Sequence, residues 1–147
     1  MFERVYVEMD WHDGHPLEGI ADYQGKPHYF VRKFDEASDD YKDHFELQPV
    51  DAETLSIAIA KWKIFVAWHD EYESGFAKTD THPGQPGVNP DYELLEQKFA
   101  KRVAAAATTS IRATLTTQNV NVAKRRRYTE AGPDYRVEWT LVEAKGE

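Results

Sequence analysis

The sequence contains no cysteine. Disulfides, thiolate catalysis and Cys-ligated zinc or iron–sulfur centres are therefore excluded. Long hydrophobic runs are missing too. The most apolar stretch, Ile57 to Trp68, is interrupted by Lys61 and Lys63 and falls far short of the roughly 20 apolar residues of a membrane-spanning helix. The start Met1-Phe2-Glu3-Arg4-Val5-Tyr6 places an acid where a secretory signal carries positive charge. These absences lead us to expect a cytoplasmic protein with no membrane contact. The sequence also lacks G-x-S-x-G, G-x-x-x-x-G-K-[ST] and G-x-G-x-x-G runs, so nucleophile-elbow, P-loop and dinucleotide chemistries have no support. No cofactor is expected.

Aromatic and charged residues are plentiful. Four Trp, eight Tyr and seven Phe stand among 147 residues, 41% of them apolar, which is too much core-forming content for a disordered chain. The length fits one domain. Net charge is −8, and it is unevenly placed: residues 1–100 hold 9 Lys/Arg against 21 Asp/Glu, whereas residues 101–147 hold 9 against 5. The acidic body argues against general nucleic-acid binding, which takes a basic surface to neutralise phosphates. The basic C-terminal part is expected to pack beside that body.

Alternation at Val5-Tyr6-Val7-Glu8-Met9 predicts a first strand. Gly14 and Pro16 mark Asp10 to Glu18 as a loop. Gly19 to Tyr23 and His28 to Phe34 follow as strands around a turn at Gln24-Gly25-Lys26-Pro27. Asp35 to Asp43, with five acids in nine residues, reads as a solvated loop, and His44 to Gln48 as a fourth strand ended by Pro49. Asp51 is placed to cap a helix. Its apolar stripe is read as Leu55, Ile59, Trp62, Phe65, His69 and Tyr72, and Gly75 stops it. The connector from Gly75 to Asn89 holds Pro83, Gly84, Pro86 and Gly87, and long connectors are often functional. Asn89-Pro90 starts a second helix with Tyr92, Leu95, Phe99, Val103 and Ala106 as its stripe. Alternation at Ile111, Ala113 and Leu115, then at Tyr135, Val137, Trp139 and Leu141, predicts a closing β-hairpin with a turn across Thr129 to Asp134. The fold class that fits is α+β: an antiparallel sheet of about six strands, an N-terminal meander plus this hairpin, with two helices packed on one face.

The run Gly19-Ile20-Ala21-Asp22-Tyr23-Gln24-Gly25-Lys26-Pro27-His28, the helix carrying Trp62 and Trp68, and Thr81-His82-Pro83 together resemble a group of small uncharacterised bacterial proteins. The resemblance covers roughly residues 5–100. It implies a bacterial origin and supplies no activity. The Asp10–Leu17 segment departs from it, so His12 and His15 lie outside the likeness.

Three constellations stand out. His12, Asp13 and His15, joined by His82 from the connector, have the residue types that ligate a divalent metal; the plainer reading of the first three is a polar surface loop. Lys124, Arg125, Arg126 and Arg127 form a basic run suited to phosphate, and a strand end beside an acidic surface explains it equally well. Asp35, Glu36, Asp39, Asp40 and Asp43 surround Tyr41. A single-sign patch steers an oppositely charged partner, and a tyrosine is a frequent interface anchor. These acids lack the glycine and terminal glutamate of an EF-hand loop. The leading expectation is a non-catalytic protein–protein interaction module of inhibitor, immunity or adaptor type, whose partner presents a basic surface. The alternatives are a small hydrolase or ligand-binding domain, sited between the 10–17 loop and the 79–89 connector, and RNA or nucleotide contact through residues 124–127.

Overall fold

The alternation at Val5-Tyr6-Val7 opens a strand, β1 (Val5–His12), that runs further than its sequence suggests. The computed structural model describes residues 1–12, 14–106, 110–120 and 127–142. Within them β1 pairs antiparallel with β2 (His15–Tyr23), and His12 stands opposite His15. The expected Asp10–Glu18 loop is thus a hairpin. Gly14, at φ 77°, supplies the turn, and Pro16 lies beyond the end of β3 (Lys26–Val31), which pairs with β2 only from Glu18 onward. A proline is tolerated where a strand has a neighbour on one side only.

The acidic stretch departs from expectation in the same way. Phe34–Asp35 (β4) and Asp40–Tyr41 (β5) pair as a two-stranded ribbon in place of a structureless loop. β6 (Phe45–Pro49) then returns beside β3. Two helices follow, α1 (Ala52–Glu73) and α2 (Pro90–Ala106), before β7 (Ile111–Asn119) pairs with β6. β10 (Tyr135–Leu141) lies on β7 in the predicted closing pair, and a second ribbon, β8 (Tyr128–Thr129) with β9 (Gly132–Pro133), interrupts their connection. The main sheet has six strands in the order β1-β2-β3-β6-β7-β10. It curls until its ends meet: Glu3 and Val137 exchange backbone N–H···O bonds of 2.6 and 3.0 Å.

Both helix starts follow their sequence signals. Asp51 accepts the Thr54 N–H at 2.7 Å, and Asn89 accepts the Tyr92 N–H at 2.9 Å. These bonds satisfy donors that have no partner within the helix. Arg102 of α2 reaches Asp51 at 3.1 Å and Glu53 at 3.2 Å, tying the two helices together. The stripe of α1 needs correction. Its buried residues are Thr54, Ala58, Trp62 and Val66, while Leu55, Ile59 and Phe65 flank the contact and Tyr72 is exposed. Small Ala58 and Val66 let α1 sit close to the sheet. Ala106 is likewise exposed at the end of α2. No helix among the described residues is long and apolar enough to cross a membrane.

Apolar side chains fill two layers. Val5, Ala21, Phe30, Phe45, Leu47, Ala113 and Val137 fill the inside of the curl. Val7 and Ile20 pack outward against Ala58, Trp62, Val66 and Phe99 of the helices. Val5 and Val7 would share a face in a regular strand. A register shift between them turns Val7 to the helix side, so one short strand supplies both layers.

Candidate functional site

A further register shift in β1 lies between Glu8 and Asp10, beside a cleft of about 250 Å³ between strand, helix and the connector. At its base the Glu8 carboxylate accepts the Tyr128 hydroxyl at 2.8 Å and the Tyr135 hydroxyl at 2.5 Å. Burial, then the adjoining Glu8 charge, raises the pKa of both phenols well above the ordinary tyrosine value, so both remain donors at neutral pH.

The helix side is aromatic. Trp62 is buried, and its indole N–H donates to the Thr129 carbonyl at 2.7 Å, holding the β8–β9 ribbon against α1. Tyr128 meets the Trp62 ring edge-on at 5.4 Å. Lys61 sits one residue earlier, its side chain only 12% exposed, with Nζ 3.6 Å from the Glu96 carboxylate and 5.1 Å from the centre of the Tyr92 ring. Burial and the nearby Glu96 push the Tyr92 phenol up to about 12.

The connector closes the far side. A single 3-10 turn at Thr79–Thr81 delivers His82 against Trp68, with ring centres 4.7 Å apart. Trp68 fixes that turn by donating its indole N–H to the Thr81 hydroxyl at 3.0 Å. His82 Nδ1 accepts the Gly84 N–H at 2.8 Å, which places the ring proton on Nε2. Burial lowers the pKa of His82, and so favours this neutral form. Trp11 forms the outer rim at 51% exposure. The Arg127 guanidinium lies over it, 5.3 Å from the Trp11 ring centre and 5.1 Å from that of Tyr128.

The residues singled out from sequence are distributed over the surface. Of the candidate ligands in the described residues, His82 lines the cleft, and Asp10 and Trp11 of the 10–17 region line it as well. His12 turns the other way and packs on Tyr41 at 5.4 Å, as neighbours along a strand do. His15, its cross-strand partner, is exposed beside it. The metal set of His12, His15 and His82 is therefore not assembled, and among the described residues no group of three His, Cys, Asp or Glu could hold a metal ion. Asp13, Lys124, Arg125 and Arg126 lie outside the described residues.

The acidic ribbon is fastened at its base, where Lys42 N–H donates to the Lys33 carbonyl at 2.8 Å. Arg32 Nε donates to the Lys42 carbonyl. Asp35 is engaged locally, accepting the Ala37 N–H at 3.1 Å and the Ser38 hydroxyl at 3.2 Å. Asp40 accepts the Tyr41 N–H at 2.7 Å, and Asp43 meets the His44 ring at 3.1 Å. Glu36 and Asp39 are exposed at the tip. Phe34 stands edge-on to Tyr41 at 5.3 Å and is 49% exposed.

Glu8, Lys61 and Tyr128 join the site through the fold and not through a sequence motif. Lys61 carried a signal, a lysine directly before the most deeply packed tryptophan of an apolar helix. Glu8 carried none beyond being a polar position in an alternating strand. No protein-family model matches the chain, and no curated protein and no solved structure shows significant similarity to it.

Proposed function

We propose that this chain is a ligand-binding protein whose working site is the cleft between β1 and α1. One observation carries the reading. Aromatic walls from Trp11, Trp62, Tyr92 and Tyr128 enclose a few polar groups, Glu8, Lys61 and His82, in a single concave space. Apolar walls with sparse fixed polar groups are the usual composition of a small-molecule site. The volume of about 250 Å³ lies just under the roughly 300 Å³ at which drug-sized sites begin, so the ligand is small. Glu8 already receives two hydroxyl donors, which suits a fixed acceptor that orients a ligand better than a mobile base.

A fragment library screened by protein-observed NMR tests this. Binders are expected to shift the indole resonances of Trp11 and Trp62 together, and Tyr128→Phe should weaken them by about five- to tenfold through loss of one fixed hydrogen bond. A library that moves resonances elsewhere on the folded protein, and never these, overturns the proposal.

The ribbon supports a second role, the docking of a protein with a basic surface. Its specific support is the exposed Phe34–Tyr41 pair held among Asp35, Glu36, Asp39, Asp40 and Asp43, an aromatic anchor inside a steering field. Association with such a partner should slow about tenfold or more between low and high salt. Charge reversal at Asp39 and Asp40 should slow it further without unfolding the protein. A rate indifferent to both changes rules this role out.

A further inference from the structure

We infer that the cleft selects organic cations, and that Arg127 occupies in cis the place of the ligand's charged group. The inference rests on the cleft being the ligand site and names the class of ligand it takes. The Trp11 and Tyr128 rings come from different elements and share one guanidinium, at 5.3 and 5.1 Å. That is a two-walled aromatic slot with a cation already in it, the arrangement by which proteins recognise ammonium and guanidinium groups.

The surroundings favour positive charge. The Tyr128 hydroxyl donates to the Glu8 carboxylate at 2.8 Å; a phenol that donates a hydrogen bond to an anion has a more electron-rich ring, and so a stronger cation-binding face. Asp10 adds a second carboxylate to the lining. The other cation there, Lys61, already faces the Tyr92 ring and Glu96. An anionic ligand would meet Glu8 and Asp10, and of the described cations nearby Lys61 is engaged and Arg127 lies over the rings. Arg127 is exposed and Trp11 half exposed, so the guanidinium can leave the slot without unpacking the core.

Titration calorimetry with benzamidine, its neutral isostere benzamide and the anion benzoate separates the possibilities. Benzamidine should bind about tenfold more tightly than benzamide, with benzoate weakest. Arg127→Ala removes the internal competitor and should tighten benzamidine several-fold while leaving benzamide unchanged. Trp11→Leu, on the exposed rim, should erase the preference for charge. Equal binding of benzamidine and benzamide, unaltered by Arg127→Ala, overturns cation selection and leaves the cleft a ligand site. Binding of none of the three, to either the native protein or Arg127→Ala, overturns the inference; if the fragment library also leaves the cleft untouched, the ligand-binding reading falls with it.

Discussion

Replacing Trp62 with alanine should destabilise the protein by about 3–5 kcal/mol. Trp62 is only 3% exposed and is the point where α1, β1 and the β8–β9 ribbon meet. The substitution removes a large apolar side chain and leaves a void beside Phe65 and Tyr128, whose rings lie 5.4 Å from it. It also takes away the donor to the Thr129 carbonyl, 2.7 Å from the indole nitrogen, and an unmet buried acceptor adds about 1–3 kcal/mol of its own. Equilibrium urea unfolding measures the total. Trp62→Phe, which keeps a six-membered aromatic ring but loses the donor and part of the indole volume, should fall between the alanine variant and the native protein. A loss below about 1 kcal/mol for the alanine variant would show that the tryptophan is not packed as described.

Gly132→Ala should destabilise by about 3 kcal/mol or more, although it adds a single methyl group. Gly132 begins β9 at φ 124°, a conformation that L side chains rarely adopt, which by itself costs about 1–3 kcal/mol. An added Cβ would stand 2.4 Å from the Val5 carbonyl oxygen and 3.3 Å from that of Tyr6. Backbone of the sheet cannot give way there without disturbing the pairing of β1. The variant is therefore expected to lose stability and, through displacement of Tyr128, the floor of the cleft as well. Thermal unfolding combined with the NMR spectrum reads both effects; unfolding at the native temperature would mean that β9 does not cross β1 at this distance.

Local chemistry made much of this fold legible. The caps Asp51 and Asn89 act within three residues of themselves, and Tyr135, Val137 and Trp139 alternate because one face of β10 is covered. Where reading failed, a wider context decided. Gly14 and Pro16 look like loop residues until β1 and β2 are seen to need only a tight turn between them. Periodicity runs the stripe of α1 through its bulkiest residues, whereas the contact with the sheet also takes in Ala58 and Val66, small enough to allow it. The bulges in β1 have no sequence signal at all, and they decide which of Val5 and Val7 faces the helices.

The cleft follows the same division. His82 and the 10–17 segment meet at the cleft, although it is Asp10 and Trp11 of that segment, and not His12 or His15, that line it. The alternative metal set is kept apart by strand period: His12 follows Trp11, so the strand sends the two to opposite faces. The meeting of Glu8 with Tyr128 spans 120 positions and follows only from the closure of the sheet.

That closure also sets an order of assembly during synthesis. The Met1 amino group finds its partner on Glu138, 137 positions away, and the Glu3–Val137 pair lies beside it. A nascent chain that has emerged only through α2 holds four strands of the main sheet, with β6 still lacking β7 and β1 still lacking its closing neighbour. The N-terminal meander can form from contacts close in sequence, as can the β7–β10 pair. Joining them is the non-local step, and such steps slow folding more than they weaken the finished protein. The base of the cleft, where Glu8 meets Tyr128, is thus among the last parts to exist, and a ribosome-bound fragment that ends before β8 has the other walls of the site without its floor.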